Sequence, residues 1–241
     1  MNLNDQNIIN NYNTYYKENE FWFNFMNDGY CDLDENDFPI DINYKLSKQL
    51  LTWKYQTNLY KKTIDLGNVK DGNILDIACG RGGGLKFIND FYNFDKLVGV
   101  DINPNHIKLA KSINKNNVKF MCNSIIDTNF KAESFDVISC IEANTYFSPY
   151  DKFIEKIYNY LKQNGVYIQA TAYTEKYIEL FEKTGLHLIK SIDITKNVRM
   201  SCAISKMRFK NINKDISDVF KIDEKRYNDD TSNYMIYVFK K

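Results

Sequence analysis

Ile74-Leu75-Asp76-Ile77-Ala78-Cys79-Gly80-Arg81-Gly82-Gly83-Gly84 is the stretch whose reading decides the fold. Its apolar start is the pattern of a short buried strand, and the run then breaks at small residues and a glycine cluster. Leu97-Val98-Gly99-Val100 reads as a second buried strand, again ending at an acid, Asp101. Two strands that bring a glycine turn and a carboxylate to one sheet edge form a pocket for a nucleoside, because ligands of open α/β sheets bind at the carboxyl ends of the strands.

Outward from this centre, strands and helices alternate. Strands are predicted over 73–78, 96–100, 118–121, 135–141, 166–173, 187–193 and 234–239, and helices over 83–91, from Pro104, from Pro149, and over 174–184 and 196–208. Asn103-Pro104 is a favourable helix start, with a side-chain cap followed by a fixed φ. Asn164-Gly165 reads as the C-cap of the helix that holds Phe153, Ile154, Ile157 and Leu161, and Gly185 as that of the next one. Phe135–Ile141 is almost wholly apolar, as a central strand buried on both faces must be. This alternation predicts an α/β, doubly wound, mostly parallel sheet.

Residues 1–66 contain no strand pattern. Ile8, Ile9, Tyr12, Tyr15 and Tyr16 recur at helical spacing, Phe21-Trp22-Phe23 and Phe25-Met26 form an aromatic knot, and 31–41 is an acidic loop. Lys45 to Leu66 reads as one amphipathic helix. The expected organisation is a helical cap over 1–66, not an independent domain, on a ligand-binding domain over 67–241.

The composition narrows the function. With 32 basic and 31 acidic residues, scattered along the chain, no excess of positive charge exists for a nucleic-acid surface. Five cysteines without a C-x-x-C pair, and two histidines, give no metal-ligand spacing and suit small buried residues in a reducing compartment. No apolar run approaches a membrane span, and Met1–Asp5 lacks the features of a leader. A cytoplasmic protein with a small-molecule partner is expected; the sequence leaves monomer or homodimer open.

Two ligand classes fit a glycine turn followed by an acid. The dinucleotide pattern G-x-G-x-x-G is absent, since Leu85 follows where the third glycine belongs, and Asp76 would repel a diphosphate. A ligand without phosphates and with a cationic portion removes that objection. At this point the chain resembles the class I S-adenosylmethionine-dependent methyltransferases. Asp76–Gly82 is similar to their first motif and Val98–Asn103 to their acidic-loop motif. Cys122-Asn123-Ser124 stands at their Gly-Asp-Ala position, Ser134–Ala143 resembles their fourth motif, and Leu161–Val166 their Leu-Lys-Pro-Gly-Gly turn.

The resemblance implies a seven-stranded Rossmann-like sheet and S-adenosylmethionine as cofactor, leaving as S-adenosylhomocysteine. It implies cofactor contacts from Tyr16, Asp76, Ala78, Cys79, Gly80, Gly82, Asp101, Ile102, Asn123, Ser124, Ile125 and Ile141. Gly80 and Gly82 admit the methionine tail, and Asp76 orients its ammonium directly or through water. Asp101 accepts from the ribose diol, Ile102 lies against the adenine, and Asn123 takes the place of the usual acid at the adenine amino group.

Ile141-Glu142-Ala143 followed by Tyr146 resembles the small-molecule members, among them sterol and prenyl-diphosphate C-methyltransferases and natural-product O-methyltransferases. Glu142 and Tyr146 are therefore the expected catalytic residues, with Glu142 able to take a proton from a hydroxyl or to stabilise a carbocation. Tyr30 and Tyr146 are candidate walls of the acceptor pocket. His106 is expected at the surface and His187 as a structural residue, and no metal is expected. The anticipated activity is methylation of a small, partly apolar metabolite, at oxygen ahead of carbon. A prenyl or sterol C-methyltransferase, with Arg199 and Arg208 as its sources of positive charge, and a cofactor-binding but silent partner subunit are the alternatives.

Overall fold

A computed structural model of the chain describes residues 3–16, 24–41, 45–114, 117–143, 146–172, 177–211, 217–221 and 232–241. Apolar runs 74–77 and 135–141 pair in the middle of one sheet, β1 (Asp71–Ile77) beside β4 (Phe135–Ile141). On one side of β1 lie β2 (Asn93–Asp101) and β3 (Val118–Cys122), and beyond β4 lies β5 (Leu161–Ala172), all parallel. β7 (Tyr234–Lys240) returns antiparallel between β5 and β6 (His187–Asp193), giving the order β3-β2-β1-β4-β5-β7-β6. The chain order reverses between β1 and β4, and a crevice opens at the carboxyl ends of such a pair.

Side chains alternate across the sheet, so each strand feeds two cores. Ile74, Val137 and Ile168 pack under α3 (Lys54–Gly67) and α4 (Gly83–Phe91), in a cluster that also takes Ile107 and Ala110 of α5 (Pro104–Ile113) and Val198 of α8 (Thr195–Phe209). Leu75, Ile138 and Tyr167 face the other way, onto Phe153, Ile154 and Ile157 of α6 (Tyr150–Tyr160) and Phe181 of α7 (Ile178–Thr184). The Asn103 side chain accepts from the Asn105 amide at 2.9 Å, the cap expected for α5.

Two differences from the sequence reading go beyond a shift of a few residues. The expected single helix over 45–66 is broken into α2 (Lys48–Thr52) and α3 at Trp53, whose φ of −109° and ψ of 38° leave the helical region. The break lets the indole be buried and stacked on Phe209, with ring centroids 4.9 Å apart. The helix before β5 stops at Tyr160 rather than at a cap at Asn164-Gly165. Leu161 already pairs with Phe135, and the Asn164 amide donates to the Lys241 carbonyl.

The N-terminal segment contributes α1 (Leu3–Tyr16) and the loop 24–41. Phe21-Trp22-Phe23 and the side chain of Tyr16 lie outside the described residues. Among the described residues no helix is long and apolar enough to cross a membrane, and no group of three or more histidine, cysteine or acidic side chains is set to hold a metal ion.

Candidate active site

A cleft of about 1070 Å³, counted out to its open mouth, lies over the carboxyl ends of β1, β2 and β4. The main chain leaves β1 through two left-handed residues, Ala78 at φ 53° and Gly80 at φ 54°. Glu142, at the end of β4, is left-handed as well, with φ 63°. Non-glycine residues rarely hold such angles, and they gather where a site requires a sharp exit from a strand.

Asp101 ties the turn after β1 to the end of β2. It is buried, and its carboxylate accepts from the Gly80 amide at 2.9 Å and the Asn103 amide at 2.8 Å. His106 Nδ1 lies 3.3 Å from the same carboxylate. An ionised carboxylate offers about four lone-pair positions, so room remains beside its internal bonds to accept from a ribose hydroxyl. His106 is a correction: it is not at the surface but only 3% exposed and part of the cleft wall. α1 docks at the start of the same helix, where Asn13 accepts from the Asn103 and Asn105 amide side chains, and Ile8 and Ile9 of α1 share the cleft wall with His106. His187 is exposed at the start of β6, 3.7 Å from Glu182.

Ala78, Cys79, Gly80, Asp101, Ile102, Asn123, Ser124, Ile125, Ile141, Glu142 and Tyr146 all reach the cleft wall. Gly82 and Asp76 do not. Gly82 caps α4 with φ 78° behind the wall. Asp76 is fully buried and accepts from Ser139 Oγ at 2.7 Å and from Tyr60 Oη at 3.2 Å. Tyr60 stands in the wall in its place, so Asp76 acts on the cleft through that phenol. Burial disfavours the charged carboxylate and pushes the Asp76 pKa up to about 7, against the opposing bonds from Ser139 and Tyr60.

Several wall residues were not among the sequence-predicted contacts: Ile8 and Ile9 of α1, Asn24 to Asn27 of the following loop, and Tyr60 of α3. The helical spacing of the first pair and the aromatic knot around Phe25-Met26 were the available signals, but neither says which cavity is covered. Tyr30, a candidate wall residue, instead faces a separate cleft with Asp32 and Lys62. Arg199 and Arg208 lie outside the wall, the Arg208 guanidinium sitting over the Tyr55 ring at 5.9 Å. Arg81 is the only lysine or arginine among the described wall residues.

The glycines show where the walls close in. A Cβ on Gly84 would lie 2.0 Å from the Tyr60 ring, so α4 approaches α3 only because that position is bare. A Cβ on Gly80 would meet only the Met26 methyl, at 2.5 Å, on the cleft side. Asn27, also in the wall, has a buried side-chain oxygen with no hydrogen-bond partner among the described residues. A bare turn at Gly80, an acceptor at Asn27 and the Asp101 carboxylate fit an adenosine ligand with a cationic amino-acid tail.

Residues 74–165 match the profile of a family described as "Methyltransferase domain". The chain is 29% identical over 109 residues to a phthiotriol/phenolphthiotriol dimycocerosates methyltransferase of Mycobacterium leprae, covering 45% of this chain and 40% of that protein. It is 25% identical over 149 residues to a fatty-acid O-methyltransferase of Mycolicibacterium smegmatis, covering 61% and 52%. The chain thus spans about half the length of the curated relatives it matches. In fold it is similar to geranyl diphosphate C-methyltransferase from Streptomyces coelicolor A3(2), solved with Mg2+, geranyl diphosphate and S-adenosyl-L-homocysteine. That likeness has a TM-score of 0.76 at 13% identity and covers 99% and 98% of the two chains. Residues 74–165 are thus similar to a methyltransferase domain, and the sheet order and overall fold are similar to those of that solved methyltransferase.

Proposed function

We propose that the protein methylates a small, partly apolar metabolite, at an oxygen. One observation carries the reading: the Asp101–Gly80 end and Glu142 share a single cleft, whose wall between and around them includes Phe25, Tyr60, Tyr146 and Phe147. When bound, S-adenosylmethionine supplies an electrophilic methyl group on a sulfonium. Gly80, Asp101, Asn123 and Asn27 hold that ligand, the aromatic side chains exclude water and receive the apolar part of the acceptor, and Glu142 takes the acceptor's hydroxyl proton. The relatives that act on fatty acids and phthiotriols support an apolar acceptor by analogy. In the same reading residues 1–66 serve as a cap on the domain over 67–241, since Ile8, Phe25 and Tyr60 all come from that part of the chain.

A second reading, methylation at an alkene carbon, draws on the same carboxylate and aromatic walls, which suit a developing cation. It ranks lower for a diphosphate-bearing acceptor, because Arg81 stands alone as a wall lysine or arginine among the described residues. Incubation with methyl-labelled S-adenosylmethionine and a panel of hydroxylated lipids, phenols, carboxylic acids and prenyl compounds tests the proposal. Mass analysis should place the label in a methyl ether or ester. Label on carbon selects the second reading, and tight cofactor binding without transfer to any acceptor selects the silent subunit.

A further inference from the structure

We propose that Tyr234 is a positioning residue which, together with the Asp28 amide, fixes the Glu142 carboxylate and joins it to the docking of the N-terminal cap. The inference rests on the reading of Glu142 as the acceptor-side group. Tyr234 Oη donates to Glu142 Oε1 at 2.6 Å, and the Asp28 amide donates to the same oxygen at 2.8 Å. Glu142 keeps its own amide bonded to the Ala170 carbonyl at 2.8 Å, so the left-handed turn frees its side chain from the ladder without losing the backbone bond.

The donors come from rigid places. Tyr234 opens β7, is 1% exposed, and pairs with Ala172. Its amide donates to Thr195 Oγ1 at 2.8 Å and its carbonyl accepts from the Ile194 amide at 2.9 Å, which anchors it to the start of α8. Ser201 of α8 donates to the Asp28 carbonyl at 2.9 Å. The Asp28 peptide is thus held on one side by α8 and on the other by Glu142. Tyr234 and Ser201 lie outside the cleft wall while Glu142 lies in it, so they act on the acceptor through the acid. Donors to an ionised carboxylate favour that form and fix its direction, which a group receiving a proton requires.

The test uses the full chain with 13C-labelled glutamate carboxyls, the Glu142 signal being assigned by its loss in Glu142→Gln. Tyr234→Phe removes one donor and keeps the ring, and should raise the Glu142 titration midpoint by about one pH unit. Asp5, Tyr60, Cys79, Arg81, Asp101, His106 and Tyr146, the other ionisable groups among the described wall residues, are the same in both proteins. S-adenosylhomocysteine affinity should change less than twofold, whereas kcat on an identified acceptor should fall about tenfold at nearly constant KM. Ser201→Ala, which loosens the Asp28 peptide without touching Tyr234, should move the midpoint the same way by less. An unmoved midpoint in both variants overturns the proposal, as does a loss of turnover that only follows cofactor affinity. If the midpoint moves but the wild-type protein methylates nothing, the positioning role stands and the functional reading fails.

Discussion

The Gly80 amide points into the Asp101 carboxylate at 2.9 Å, so the turn after β1 and the acid after β2 are one structural unit. The acid that would receive a ribose also sets the loop that would receive the amino-acid tail. Asp101→Ala should therefore weaken S-adenosylmethionine binding at least tenfold by calorimetry, a loss of about 1.4 kcal/mol or more. Affinity equal to that of the unaltered protein would remove Asp101 from the cofactor site.

Glu142→Gln keeps an oxygen able to accept from Tyr234 and Asp28, so the cap stays docked while the basic group is lost. Turnover should drop roughly 100-fold. Cofactor affinity, measured separately by calorimetry, should stay within a few-fold. Parallel losses in both quantities would point to a structural rather than an acceptor-side role.

Gly84→Ala forces a methyl to within 2.0 Å of the buried Tyr60 ring. Overpacking of this kind costs about 1–3 kcal/mol. For a chain of this size that lowers the melting temperature by roughly 2–10 °C. Scanning calorimetry that shows no decrease would mean that α3 and α4 separate more easily than their packing implies.

Asp76 gives a pH signature. In the unfolded chain an aspartate ionises near pH 4, whereas burial holds the proton of folded Asp76 up to about pH 7. Between those values the native state binds the extra proton, so its contribution to stability declines as pH rises and levels off above 7. Asp76→Asn does not ionise. The stability of the wild type relative to this variant should fall by on the order of 2–4 kcal/mol between pH 4 and 8, measured by denaturant unfolding at each pH. A difference that stays flat across the range is the contrary result.

The sequence was most legible where one residue type answers one local demand. Asn103-Pro104 opened a helix at the expected place, and Gly185, at φ 95°, closed one. The mostly apolar run 135–141 was central and buried, and its one fully buried polar side chain, Ser139, is satisfied by its bond to Asp76. The break at Trp53 was not legible, since the indole's stacking partner Phe209 lies more than 150 residues away. His106 was misread for the same reason: its own helix is amphipathic and ordinary, and the ring is buried in a cleft wall built from elements far apart in the chain.

By itself the sequence determined the alternation of strands and helices, the glycine turn and the acid at the end of β2, because period, turn chemistry and strand termini are local properties of the chain. Tertiary structure alone decided that Tyr60 stands between Asp76 and the cleft, that Met26 covers Gly80, and that Asp28, Tyr234 and Glu142 meet at one oxygen. Those contacts join residues 16 to 114 positions apart. Their geometry follows from how the cap and the last strand pack on the sheet, which no local pattern encodes.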